Sequence, residues 1–315
     1  MRNGPDAGAG TASAASATAG SPNATAVLMG GFQPPTAKAR RGSPWPLLPL
    51  LCATPALVFL VWALLIPMIS LVIRSITSFE DGGLTFANYF DVFANDHYRT
   101  SFFNSILVAV LSTVIAIVLA VPTALELASA SGRFKTVADA VLTFPLSLPG
   151  VAVGFFVIVL FGRAGVVPAG FRNATGEPQM VIAYQMSGLM LAYLYFQLPR
   201  VLGTMRGAAE NLDPALVEVS RTLGASPWRT LFRVTLPALA PAIVAAAGIA
   251  TASSLGAYGT VAALSEGFRV LPLDVAEQAT LFRNGDLSSA MALVLAFSSL
   301  GFGIIGSRLA KVFSR

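Results

Sequence analysis

Long apolar stretches alternate with short polar ones along this chain, and the apolar stretches set its plan. A helix needs about 20 apolar residues to cross a ~30 Å hydrocarbon layer. Stretches near or above that length are expected at Leu47–Ile73, Phe102–Ala128, Ala138–Phe161, Met180–Leu202, Leu236–Leu264 and Ala290–Ile305. The pattern predicts an all-α membrane protein with about six transmembrane helices. The third stretch carries Pro145, Pro149 and Gly150 within FPLSLPGVAVG, which break it at membrane depth. Broken helices at that depth line solute paths in many transporters, although a kinked packing helix reads the same way. The fifth stretch is rich in small residues, including Gly248, Ser253, Ser254, Gly256 and Gly259, which let helices approach closely.

The polar segments between these stretches differ in kind. Residues 1–44 are Ala-, Gly-, Ser-, Thr- and Pro-rich and read as a disordered tail. They lack the apolar core of a signal peptide. Ser75–Thr100 mixes acids with Phe79, Phe86, Tyr89, Phe90 and Tyr98. Residues 162–179 read as a Gly- and Pro-rich loop. Ser265–Ser288 is expected to hold a short interfacial helix around Asp274–Phe282. The longest polar segment between apolar ones is Glu210–Pro241. It predicts two short helices: Asp213-Pro214 starts one, Gly224 stops it, and Ser226-Pro227 starts the next. Leu236-Pro237 then opens the fifth apolar stretch. Such a pair is too short to fold alone and needs a surface to dock on.

This segment resembles the signature loop of permease subunits of binding-protein-dependent ABC importers. There a Glu-Ala-Ala is followed by Gly six residues after the Glu, and then by Ile-x-Leu-Pro. Here Glu218, Gly224, Val234, Leu236 and Pro237 stand at that spacing, with Val219 and Ser220 in place of the two alanines and Val234 in place of Ile. The resemblance covers residues 47–312. The stretch at Phe144–Gly154, with Phe161-Gly162-Arg163-Ala164-Gly165, is similar to sulfate, molybdate and polyamine permeases. It implies one membrane domain over 45–315, with a cytoplasmic coupling loop at about 204–235. In that loop Glu218, Arg221, Gly224, Val234, Leu236 and Pro237 meet a separate ATPase subunit. Glu218 and Arg221 would cap or pair at the ATPase groove, Gly224 would permit the turn, and Pro237 would begin a rigid helix. The implied partners are ATPase subunits, a second permease subunit (the same chain or a homologue), a periplasmic or lipid-anchored solute-binding protein, and the lipid bilayer. Ser254-Leu255-Gly256-Ala257-Tyr258-Gly259 resembles the family's fifth-span motif. However, Ala257 and Tyr258 stand where sulfate and molybdate permeases usually carry Glu and Phe; that departure weakens the oxyanion assignment and leaves polyamine, phosphonate or other small polar solutes open beside sulfate and molybdate.

Composition narrows the picture. Only 11% of the 315 residues are charged, against about 25% in a soluble domain. Most basic residues fall on the side of the two termini, including Lys38, Arg40, Arg41, Arg133, Lys135 and Arg308. Arg74, Arg99, Arg163, Arg172, Arg269 and Arg283 fall on the other. This bias predicts a multi-pass protein with both termini cytoplasmic, and the resemblance implies the bacterial inner membrane. It also accounts for the net charge of +5 without nucleic acid. None of the three lysines follows a glycine, so the phosphate-cradling G-x-x-x-x-G-K-[ST] is missing and ATP hydrolysis belongs elsewhere. No cofactor or metal is expected: there is one histidine, His97, and one cysteine, Cys52. Gly301-Phe302-Gly303-Ile304-Ile305-Gly306 fits G-x-G-x-x-G only formally and reads as helix-packing glycines. Candidates for a solute path are the polar residues at membrane depth: Gln197, Thr251, Ser253, Ser254 and Tyr258. Interhelical hydrogen bonding is the plainer reading of each. The alternative function, a stand-alone secondary transporter or channel, needs an intramembrane acid. Only Glu126 lies near such a position, at a span end.

Overall fold

The structure, a computed structural model, describes residues 48–79, 82–176, 181–264 and 266–313. The tail expected over 1–44 lies outside them. The chain divides into two units, 1–62 and 63–315. Of the first, only the opening part of helix α1 (Leu48–Ser75) is described. The second unit holds the remaining elements.

Those elements are helical, and among the described residues the only extended pairing is an isolated bridge between Thr77 and Leu84. α2 (Ala87–Ala94) leads through Asn95 into α3 (Asp96–Ser129). The Asn95 side chain accepts from the His97 amide at 2.9 Å and starts α3. The expected break follows α4 (Gly132–Thr143): a 3₁₀ turn over Phe144–Ser147 separates it from α5 (Gly150–Phe161). Pro149 has extended backbone (φ −68°, ψ 146°) and cannot donate to a continuing helix, so α5 starts afresh there.

The loop expected at 162–179 is instead largely helix, α6 (Val166–Thr175). The residues that suggested a loop are its start and stop signals. Gly165 precedes the first turn, Pro168 sits inside it, and Gly176 closes the helix in the left-handed region at φ 72°.

α7 (Met186–Glu210) carries the chain to α8 (Pro214–Thr222) and α9 (Pro227–Thr230). A π turn over Leu231–Thr235 leads directly into α10 (Leu236–Leu255). α11 (Tyr258–Leu264), α12 (Leu271–Thr280) and α13 (Gly285–Phe313) complete the chain. The short helix expected at Asp274–Phe282 is therefore present, beginning three residues earlier.

Among the described residues, five stretches are long and apolar enough to cross a membrane: Ala53–Ser75, Asp96–Ser129, Gly150–Thr175, Pro227–Leu255 and Gly285–Phe313. The fourth expected span, Met180–Leu202, corresponds to α7. Its 25 residues reach about 37 Å at 1.5 Å per residue, enough to cross. It falls short on composition because Tyr193, Tyr195, Gln197, Pro199 and Arg200 interrupt its apolar run.

α3 fixes the two ends of the bundle. At its start, His97 Nε2 lies 3.0 Å from Oδ1 of the buried Asp274 in α12. Past its other end, Lys135 of α4 reaches Glu210, the last residue of α7, at 3.3 Å, and Arg206 pairs with the same carboxylate at 3.0 Å. Hydrogen bonds from Arg206 and then Lys135 hold the Glu210 carboxyl below the usual carboxylate range. α2 and α12 thus sit at one end, and α8–α9 at the other.

Small residues make the seams between. Ala116, Ala120 and Ala124 of α3 pack with Val201, Leu202 and Met205 of α7 and with Ala246 and Ala250 of α10. α10 crosses α13 glycine on glycine, where a Cβ on Gly248 would lie 2.8 Å from Gly306 Cα. Of the three glycines in Gly301–Gly306, only Gly306 makes this contact. A methyl group placed on Gly301 or Gly303 would meet no atom within 4 Å. Gly154 of α5 lies against α11, its Cβ position 2.6 Å from Ala263 Cβ.

Candidate functional site

The knuckle between α7 and α10 is built from its end signals. The Asp213 side chain accepts from the Ala215 amide at 2.9 Å, and Pro214 follows as the first helical residue of α8. Gly224 closes α8 at φ 75°. Around it the Gly224 amide donates to Arg221 O at 2.9 Å, and the Ala225 amide donates to Ser220 O at 3.1 Å. This bond pair is the Schellman arrangement, which needs a left-handed residue at that position. Ser226 then caps α9, accepting from the Arg229 amide at 3.3 Å.

One contact was not foreseen. Ser220 Oγ and Thr230 Oγ1 lie 2.9 Å apart, both buried, and tie α8 to α9 across the turn. Ser220 stands where the resembled motif has alanine, so that departure supplies a local clasp.

Outside the clasp the knuckle shows an apolar face. Leu216, Val219 and Leu223 are exposed, Leu223 at 82%, and they border an open groove of about 620 Å³ together with Arg229 and Arg233. Trp228 and Phe232 stack at 6.0 Å and are also exposed. Glu218, Arg221 and Gly224 lie on the same exposed knuckle, and among the described residues neither Glu218 nor Arg221 forms an ion pair.

Val234, Leu236 and Pro237 lie where the π turn passes into α10: Val234 is in the turn, Leu236 is the first residue of α10 and Pro237 stands in its first turn, within a helical run that continues from Pro227 to Leu255. The Leu236 amide donates to Leu231 O, a π-type bond. The wider turn makes room for the ring of Pro237, which would otherwise meet the carbonyl four residues back.

The candidate path residues split into two groups. Gln197 Nε2 donates to Ser112 Oγ at 3.0 Å and to Ser254 Oγ, joining α7, α3 and α10. Its Oε1 is buried without a hydrogen-bond partner. Thr251 Oγ1 donates to Thr113 Oγ1 at 3.2 Å. All five side chains are buried, so Gln197, Thr251 and Ser254 stitch helices together. Ser112 and Thr113, adjacent polar residues near the middle of an apolar span, are the readable signal for this junction. Ser253 is exposed and bonds back to Ile249 O at 2.7 Å, and Tyr258, past the break at Gly256, is half-exposed. The structure does not bring these two to the junction.

Against this geometry the comparisons with known proteins are specific. The family model described as "Binding-protein-dependent transport system inner membrane component" matches residues 112–315. The chain belongs to that family. It is a multi-pass permease component of an ABC importer. The molybdenum transport system permease protein ModB of Mycobacterium tuberculosis is 32% identical over 210 residues, covering 65% of this permease and 78% of that protein. The sulfate transport system permease protein CysT of Escherichia coli is 26% identical over 206 residues, covering 65% and 71%. A solved bacterial ABC transporter for alginate import shares the fold, with a TM-score of 0.71 at 17% identity, covering 86% of this chain and 96% of that one. Membership sets aside the stand-alone secondary transporter.

Proposed function

We propose that this permease carries a small oxyanion of the molybdate and sulfate class. It would do so with a second permease subunit, driven by separate ATPase subunits that dock on the α8–α9 knuckle. The observation that carries the oxyanion is the 32% identity to a molybdenum permease over 210 residues. The described part of the fold adds a chemical reason. Tyr258 offers a neutral hydroxyl donor, Ser253 a second hydroxyl once it turns from Ile249 O, and the membrane-depth stretches place no lysine beside them. Neutral donors orient an oxyanion without holding it as tightly as a fixed cation would. The exposed Leu216–Val219–Leu223 face supplies the apolar contact for an ATPase groove, with Glu218 and Arg221 free to pair across it. In this reading the knuckle and both termini are cytoplasmic, and a solute-binding protein meets the end that carries α2 and α12.

The test is co-purification of the full chain from its native membranes, followed by uptake in proteoliposomes holding the recovered subunits and the binding protein. Recovery of an ATPase and saturable, ATP-dependent uptake of molybdate or sulfate is the expected result. Uptake of a polyamine with neither oxyanion transported would overturn the solute assignment. Recovery of the chain without any ATPase would overturn the coupling assignment.

A further inference from the structure

We propose that α2 is an interfacial anchor whose phenylalanine face lies in the lipid at the headgroup boundary. This goes beyond the import function and requires only that the chain spans a membrane.

The helix is held at the height of two span ends. One candidate span ends at Ser75. Asn88 Nδ2 donates to Ser75 O at 3.1 Å and to Thr77 O at 2.8 Å, and Tyr89 OH donates to Ser75 Oγ at 2.8 Å. At the other end of α2, Asn95 alone separates it from α3, whose span begins at Asp96. An eight-residue helix tied at both ends to span termini runs along the boundary rather than away from it.

Its faces are sorted accordingly. Asn88 and Val92 are buried, and Val92 packs with Leu271, Leu287 and Met291 at the end of the bundle. Phe86, Phe90 and Phe93 recur at i, i+4 and i+7, which places them on one stripe of the helix. They are exposed at 75%, 73% and 46%. By the 3.6-residue period Asp91 projects from a different side. Leu84, just before the helix, is 81% exposed.

The stripe continues onto a membrane-spanning helix. Phe93 meets Phe102 edge-on at 5.7 Å, and Phe102 meets Phe103 at 5.6 Å. Phe103 is exposed on α3 just past its polar first residues Asp96–Thr100. That is the depth at which aromatic side chains collect in membrane proteins. An amphipathic helix with one aromatic face at that level buries the face among headgroups and upper acyl chains. The continuity with Phe103 favours lipid over a protein partner as the occupant.

The experiment uses the full chain with Cys52→Ala, reconstituted in phosphatidylcholine–phosphatidylglycerol vesicles. Nitroxide labels go on Leu84→Cys, Phe90→Cys and, as the polar-side reference, Asp91→Cys. Power saturation reads each label's accessibility to oxygen, which partitions into lipid, and to a water-soluble nickel chelate. The expected result is an oxygen-to-nickel ratio several-fold higher at positions 84 and 90 than at 91. Equal nickel accessibility at 90 and 91 overturns the proposal. So does a label at 90 that is open to nickel until the solute-binding protein is added, because that identifies the face as a protein dock. Leu84 makes so little contact that its variant reports even if Phe90→Cys perturbs folding. No transport step enters the readout, so this result and the importer reading stand or fall separately.

Discussion

Replacing Gly224 is the sharpest probe of the knuckle. The residue sits at φ 75°, and nothing lies within 4 Å of the position a Cβ would take. The cost of a side chain there is therefore backbone strain alone. For an ordinary L-residue in the left-handed region it is roughly 1–2 kcal/mol. The cheapest relief is to give up the two bonds that close α8, Gly224 N–H to Arg221 O and Ala225 N–H to Ser220 O. A strain of that size shifts the balance between closed and frayed turn by about 5- to 30-fold. If only the closed turn engages the ATPase, its apparent affinity falls by the fraction of turns lost. Asn and Asp tolerate the left-handed region better than Ala, and a β-branched residue tolerates it least. Uptake at fixed expression should therefore rank Gly, then Asn, then Ala, then Val. Asp keeps the turn but sets a charge beside Leu216, Val219 and Leu223, so Gly224→Asp should uncouple ATP hydrolysis from uptake where Gly224→Asn does not. The assay is ATP hydrolysis and solute uptake measured in the same proteoliposomes. Wild-type coupling in Gly224→Val would refute the reasoning. An order with Ala above Asn would mean that side-chain size at the interface, not turn geometry, governs coupling.

Three further outcomes follow from the packing. Ser220→Ala leaves the buried Thr230 hydroxyl without its clasp and should cost about 1–3 kcal/mol. Thr230→Val added to it should cost less than the sum of the singles, as read by thermal unfolding in detergent. Gly306→Leu pushes a side chain into Gly248 and should lower the unfolding temperature, as overpacking typically costs about 1–3 kcal/mol, while Gly303→Ala, with open space at its Cβ position, should leave it unchanged. Ser253→Ala and Tyr258→Phe should alter the KM for uptake with the unfolding temperature intact. Thr251→Val, which breaks a buried pair with Thr113, should do the reverse.

Much of this was legible in the chain. Asp213, Gly224 and Ser226 announced the knuckle because caps are local chemistry, set by two or three neighbouring residues. Pro145 and Pro149 announced the break before α5 for the same reason. α6 is hard to read because Gly and Pro suit a loop as well as a helix end; only the placement of Gly165 before, Pro168 in the first turn and Gly176 after makes them start and stop signals. Ser220–Thr230 and Gln197–Ser112–Ser254 were not legible as pairs. Each depends on where a turn or a helix crossing puts two side chains, and hydrophobic spacing does not encode that. Separating Ser253 from Ser254 likewise needed the helix phase, since neighbours in sequence point about 100° apart.

The π turn between the knuckle and α10 has a mechanical consequence. Pro227–Leu255 is one helical run of 29 residues, about 43 Å long. One end carries the Trp228–Phe232 stack, and the other carries Thr251 and Ser254, bonded into α3 and α7. It is a lever with its fulcrum at the Gly248–Gly306 crossing, where the two backbones all but touch. Near the load end, the π turn and the missing amides of Pro237 and Pro241 thin out the hydrogen-bond ladder, so the rod is softest there. If the knuckle takes the ATPase's thrust as proposed, that thrust would first flex the soft section, and only force beyond its give would swing the far arm against the buried junction. On the proposed coupling, the helix would filter small thermal displacements of the knuckle while passing on a sustained stroke.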